Sequence, residues 1–154
     1  MRRIGTVLAL ITLVTISGLR ADGRTESFRS AFIDERGQLH LAYAAGADIV
    51  ATKRAHQLSF EQPRVSGDHH TVGWLETYQD PGSTAFATPI ADSLIVYRAG
   101  RIVRIISTPQ VFWSWRFANR DEDIVSCTGP THGGATNCTT RSIATGLVKA
   151  RWSP

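Results

Sequence analysis

Short runs of strand-forming residues, separated by turn residues at regular intervals, constrain the fold of this 154-residue chain most strongly. Runs rich in Val, Ile, Tyr, Phe and Trp recur roughly every 8–12 residues, and Gly, Pro, Asn and Asp stand between them. Outside the first 21 residues, no long window has apolar residues at helical spacing. The pattern predicts an all-β domain built from antiparallel sheets.

The predicted strands are residues 28–33, 39–43, 48–53, 57–60, 71–78, 94–97, 101–106, 111–117, 124–127, 138–143 and 147–152. Residues 62–70 are predicted as a loop, because Pro63, Gly67 and Asp68 break strands. The clearest hairpin joins 94–97 to 101–106, where Gly100 supplies a positive φ for the turn.

The strand at 111–117 carries an unusual share of the aromatic residues. Side chains alternate between the two faces of a strand, so one face is predicted to hold Val111, Trp113, Trp115 and Phe117. A buried row of this size would stabilise the domain by several kcal/mol. If the row is exposed instead, Trp113 and Trp115 become candidate binding residues, because contiguous apolar patches mark contact sites.

The first 21 residues have the pattern of a cleavable export signal. Arg2 and Arg3 precede an apolar run that ends near residue 19, and cleavage after Ser17 or Ala21 would fit. A retained membrane anchor is the alternative, although the run is short for a span of about 20 apolar residues. We therefore expect residues 1–21 as a signal helix, residues 22–154 as one β-rich domain, no stable membrane span after cleavage, and a periplasmic or secreted location.

Removal of that segment changes the charge of the chain. The whole sequence has 17 Lys and Arg against 13 Asp and Glu, and the mature part has 14 against 13. Such a small excess gives no reason to expect a nucleic-acid partner. Arg98, Arg101 and Arg104 form a local basic patch, which we interpret as solvated residues beside a hairpin turn.

The two cysteines, Cys127 and Cys138, stand at the ends of predicted strands and enclose a loop rich in Gly, Pro and Thr. In an oxidising compartment this pair is expected to form a disulfide. A loop of this length predicts a stabilisation of roughly 2.5–3 kcal/mol. Two cysteines at this spacing do not indicate a zinc site.

The sequence contains no convincing catalytic set. A G-x-S-x-G nucleophile motif, a calcium loop and a glycine-rich phosphate loop are missing, so no catalytic residue, metal or cofactor is predicted. His69 and His70 beside Asp68, and the acidic run 121–123, are interpreted as solvated turns. His132 is a candidate binding residue, because functional residues concentrate on loops and the disulfide would restrict the motion of this one.

Two segments resemble blades of β-propeller proteins. Residues 63–74 resemble the "x-S-x-D-G-x-x-V-A-W" element of TolB-like and WD-type blades, and 115–125 with 142–148 have a similar outline. Residues 71–152 also resemble a group of exported bacterial proteins with V-G-W-L, V-Y-R-x-G-R, W-x-W-x-F and G-P-x-H-G segments. The resemblance covers about 60% of the chain and implies no substrate or catalytic residue.

A closed propeller typically needs about four or more four-stranded blades, and this chain has strands for roughly two. We therefore expect about two blade-like units packed as an open sandwich or a partial propeller. The leading hypothesis is a non-enzymatic exported domain that binds or scaffolds another envelope protein, through an edge strand or by self-association. The alternatives are a small secreted hydrolase or ligand-binding enzyme that uses the His132 loop, and a carbohydrate-binding module.

Overall fold

The computed structural model describes residues 27–80 and 89–154. In these ranges all regular structure is β-strand, in three antiparallel sheets, which confirms the all-β prediction. Sheet A comprises β1 (Phe28–Ile33), β2 (Leu39–Tyr43) and β3 (Ile49–Val50). Sheet B comprises β4 (Ser59–Val65), β5 (Thr71–Tyr78), β6 (Ile90–Arg98) and β7 (Arg101–Ser107). Sheet C comprises β8 (Val111–Ala118), β9 (Asp123–Gly129), β10 (Asn137–Ser142) and β11 (Val148–Trp152).

The predicted signal segment, residues 1–21, lies outside the described residues. Across the described ranges, no helix is long and apolar enough to cross a membrane.

Sheet B is the middle layer of a three-sheet stack, so the fold has one layer more than a two-sheet sandwich. On one face, Trp74 and Ile95 pack with Leu41 and other residues of sheet A. On the other face, Leu94 packs with Trp115 and other residues of sheet C. Every residue of β5 from Thr71 to Thr77 is buried as a result. Burial on both faces explains why Val72, Trp74 and Leu75 do not follow a simple alternation of apolar and polar residues.

Strand β4 extends through the segment that was predicted to be a loop. Residues 62–65 belong to this strand, and Pro63 is tolerated because β4 is an edge strand with a bulge between Glu61 and Arg64. Gln62 has a φ of 47°, which marks the irregularity. The loop prediction failed because breaker residues are compatible with a bulged edge. In sheet A, the predicted strand at 48–53 shortens to Ile49–Val50.

The prediction of one aromatic row on β8 is wrong at Trp113. The register between β8 and β9 shifts between Phe112 and Ser114, so an extra residue interrupts the alternation. Phe112 and Trp115 are buried in the core, whereas Trp113 is 45% exposed. The bulge therefore removes Trp113 from the buried face and keeps Trp115 on it.

The predicted disulfide is confirmed. Cys127 on β9 and Cys138 on β10 are direct cross-strand partners and are bonded to each other. The bond closes the base of the loop that contains His132, between two strands of sheet C.

Candidate functional site: the arginine cleft

A cleft of about 560 Å³ lies between sheets B and C, beside the hairpin that joins β6 to β7. We call it the arginine cleft. Its lining residues are Arg98, Arg101, Ile102, Val103, Arg104, Glu122, Ser142, Ile143, Ala144 and Lys149. One wall is therefore the β6–β7 hairpin of sheet B. The other wall is formed by the β8–β9 turn, the end of β10 with the turn that follows it, and the edge strand β11 of sheet C.

A β-bulge on β7 brings the arginines together. Arg104 pairs with Val96 and Ile102 pairs with Tyr97, so Val103 is an additional residue on β7. Without the bulge, Arg101 and Arg104 would point to opposite faces, because they are three positions apart. With it, both lie on the face turned toward sheet C, and Arg98 is the direct partner of Arg101 on that face.

The bulge also places Ile102 and Ile105 on the same face of β7. Ile102 and Ile105 pair with Tyr97 and Ile95, whose side chains face sheet A. Both isoleucines are exposed, at 44% and 47%. Strand β7 thus has the exposed isoleucines on one face. On the other face, Arg101 and Arg104 stand beside Val103 and Ile106, which pack against the core between sheets B and C.

Arg104 is held in a fixed position by the opposite wall. Its Nε donates a 2.6 Å hydrogen bond to the carbonyl oxygen of Ile143, and a terminal nitrogen donates to the carbonyl oxygen of Ala144. Because both acceptors are uncharged, the positive charge of Arg104 is not neutralised by them. A preorganised guanidinium group of this kind suits the recognition of carboxylates.

The other cations of the cleft differ in their partners. Lys149 Nζ lies 2.7 Å from Oδ1 of the buried Asp123. A guanidinium nitrogen of Arg98 lies 4.0 Å from Oδ2 of Asp68, at the limit of an ion pair. Arg101 is exposed and has no ion pair within residues 27–80 and 89–154. The cleft therefore keeps uncompensated positive charge, although Glu122 lines its opposite wall.

Two turns beside the cleft are joined by a hydrogen bond between sheets B and C. The amide of Asp68, in the β4–β5 turn, donates to Oδ2 of Asp121, in the β8–β9 turn, at 2.9 Å. Burial raises the pKa of Asp68, but hydrogen bonds from the Ser66 hydroxyl and the His70 amide, together with the charge of Arg98, lower it below its ordinary value on balance. The turns that were interpreted as solvated thus also help to fix the spacing of the two sheets.

The residues proposed from sequence lie elsewhere. His132 is exposed in its loop and does not line the arginine cleft. Trp113 covers Gly129, where a β-carbon would lie 2.8 Å from its Nε1. Trp115 is in the core. The sequence analysis identified the basic patch of Arg98, Arg101 and Arg104. It did not identify the bulge that brings them to one face, because an alternating strand pattern does not reveal a bulge.

A second polar cluster surrounds Glu76, which is almost completely buried on β5. Its carboxylate accepts hydrogen bonds from Tyr78 at 2.7 Å, Arg54 at 3.2 Å and the indole of Trp74 at 3.4 Å. Burial and the hydrogen bond to Glu76 raise the pKa of Tyr78 to about 12. Three donors surround one buried carboxylate, so the role of the cluster is to satisfy a buried charge. Sequence reasoning missed it, because one Glu in an apolar strand gives no pattern.

Within the described parts of the chain, no group of three or more His, Cys, Asp or Glu side chains could hold a metal ion. Neither a scan against protein-family models nor a search of the curated proteins found a match for this chain.

Proposed function

We propose that this chain is an exported, non-enzymatic protein-binding domain that takes up an extended segment of a partner protein along the free edge of β7. The observation that carries the proposal is the environment of this strand. Among the described residues, β7 pairs with β6 alone, and its other edge borders the arginine cleft. An edge strand offers unpaired backbone amides and carbonyls, which a partner strand can satisfy.

Export to the periplasm or the cell exterior is supported by two features. The first is the signal pattern in residues 1–21. The second is the disulfide between Cys127 and Cys138, which fits an oxidising compartment.

The sheet architecture favours an interaction domain over an enzyme. Sheets B and C are both four-stranded, and each follows the chain order from one strand to the next, as propeller blades do. Three sheets in the described residues are fewer than the roughly four that a ring needs. The three-sheet stack keeps free strand edges and outer faces that could contact another protein.

Strand addition can be tested with an eight-residue fluorescent peptide in which Glu and Val alternate, followed by fluorescence anisotropy. In an extended peptide all Glu amides point to one edge and all Val amides to the other. Two further peptides carry N-methyl groups on either the Glu or the Val amides. We expect the two methylated peptides to differ in affinity by at least about tenfold, because only one set bonds to β7. Equal binding of the two methylated peptides would contradict the proposal.

A further inference from the structure

The geometry of β7 points to a specific partner chemistry: we propose that it selects an extended segment in which acidic and apolar residues alternate. This inference rests on the proposed strand addition and adds the identity of the side chains that β7 accepts. It follows from the two different faces that the bulge creates on one edge strand.

The face toward sheet C determines the acidic positions. A strand paired with β7 would place every second side chain on this face, with β-carbons roughly 4.5–5.5 Å from those of their direct partners. Arg101 and Arg104 lie on this face, and Arg98 is beside them. Glu or Asp at these positions would enter the arginine cleft and meet guanidinium groups, which pair with carboxylates in a two-pronged geometry.

The opposite face determines the apolar positions. Ile102 and Ile105 are exposed on the face of β7 turned toward sheet A, and Ile102 also borders the cleft. Cross-strand pairs with β-branched or aromatic residues would cover them and remove apolar surface from water. A segment with charged residues at these positions would gain nothing from the isoleucines.

The same features disfavour other partners. Positive charges and a bulge on an edge strand discourage pairing with arbitrary strands. A basic strand would place like charges against Arg101 and Arg104, and a neutral strand would offer their positive charges no counter-ion. Selectivity therefore comes from repulsion as well as attraction.

The test compares four eight-residue peptides on the full mature chain with its disulfide intact. They are an alternating Glu–Val peptide, an alternating Gln–Val peptide, an alternating Lys–Val peptide and a block peptide with four Glu followed by four Val. We expect the alternating Glu–Val peptide to bind at least about tenfold more tightly than each of the others, from two or three cross-strand pairs. Its affinity is expected to fall as salt is raised.

Two substitutions test whether the preference for the Glu–Val peptide depends on Arg101. Arg101→Glu should lower the affinity for the Glu–Val peptide by about tenfold or more and raise the affinity for the Lys–Val peptide. The reason is that residue 101 would then repel Glu and attract Lys across the strand pair. Arg116→Glu is the matched control, since Arg116 is exposed on the face of sheet C that points away from the cleft. It makes the same change in net charge and should leave both affinities within about twofold. Arg101 is exposed and lacks an ion pair among the described residues, so its substitution should preserve folding.

The outcomes separate this inference from the proposed function. One outcome is that the Gln–Val peptide binds as tightly as the Glu–Val peptide while the two N-methylated peptides still differ in affinity. In that case strand addition stands and the preference for acidic residues is overturned. If the block peptide binds as tightly as the alternating peptide and Arg101→Glu abolishes its binding, the cleft is a general anion site and the inference is also overturned. If both methylated peptides bind equally, the proposed function itself fails.

Discussion

Gly73 is the position where the packing of sheet C on sheet B can be tested with the smallest change. A β-carbon at Gly73 would lie 2.5 Å from Cη2 and 3.0 Å from Cζ3 of Trp115. Ordinary carbon contacts are about 3.5–4.0 Å, so the indole or the sheet would have to move by roughly 1 Å. Trp115 is 2% exposed and packs edge-on against Phe117, which leaves it little freedom to move.

We expect Gly73→Ala to destabilise the protein by about 1–2 kcal/mol. Overpacking a filled core costs about 1–3 kcal/mol. Replacing Gly by Ala also restricts the unfolded chain, and this effect stabilises the folded state by about 0.4–1 kcal/mol, which offsets part of the cost. Gly129→Ala is the matched control, because its β-carbon would also meet an indole, at 2.8 Å from Nε1 of Trp113. Trp113 is largely exposed and can swing aside, so this change should stay within about 0.5 kcal/mol.

The assay is urea unfolding of the oxidised protein, followed by tryptophan fluorescence and far-UV circular dichroism. A lower midpoint with an unchanged slope would report a loss of stability. Trp115→Phe removes the ring that the new methyl group meets, so Gly73→Ala should cost less than half as much in that background. The packing argument is refuted if Gly73→Ala is as stable as Gly129→Ala, or if its cost is the same with Phe at position 115.

Three further predictions concern the disulfide and the buried polar cluster. Replacing Cys127 and Cys138 together by Ala should lower the unfolding free energy by about 2.8 kcal/mol, from the chain entropy of a loop with a sequence separation of 11; a loss under about 1 kcal/mol in urea unfolding would contradict this. The Tyr78 phenol has a folded pKa of about 12 against 10.0, so its contribution is fully present below pH 10 and is lost as pH rises through 12; unfolding midpoints measured across this range should fall less steeply for Tyr78→Phe, and identical slopes would disprove the assignment. Glu76→Met should cost about 1–3 kcal/mol, because buried donors lose their acceptor; an unchanged urea midpoint would show that these hydrogen bonds are dispensable.

The sequence predicted the regular elements of the fold well. Strand β5 was predicted with its observed bounds, because strong breaker residues stand on both sides of it in the sequence. The β6–β7 hairpin was found from Gly100, which has a φ of 75° in the turn. The disulfide followed from the strand ends that Cys127 and Cys138 occupy. In each case a local pattern determined the local structure.

The candidate site could not be predicted, because single-residue bulges determine it. The bulge at Trp113 exposes a tryptophan that alternation assigned to the core, and the bulge at Val103 gathers Arg101 and Arg104 on one face. A shift of one residue in register reverses which face every later side chain occupies. The register depends on the partner strands and on the neighbouring sheet. The alternation of apolar and polar residues along β7 or β8 alone carries no information about either of them.

Amide hydrogen exchange of the protein, with and without the alternating Glu–Val peptide, tests the role of β7 most directly. Strand addition predicts that alternate amides in Arg101–Ser107 exchange at least about tenfold more slowly in the complex, while those in Val148–Trp152 keep their rates. Slower exchange confined to Val148–Trp152 or to the loop around His132, with the amides of Arg101–Ser107 unchanged, would show that β7 is not the binding edge.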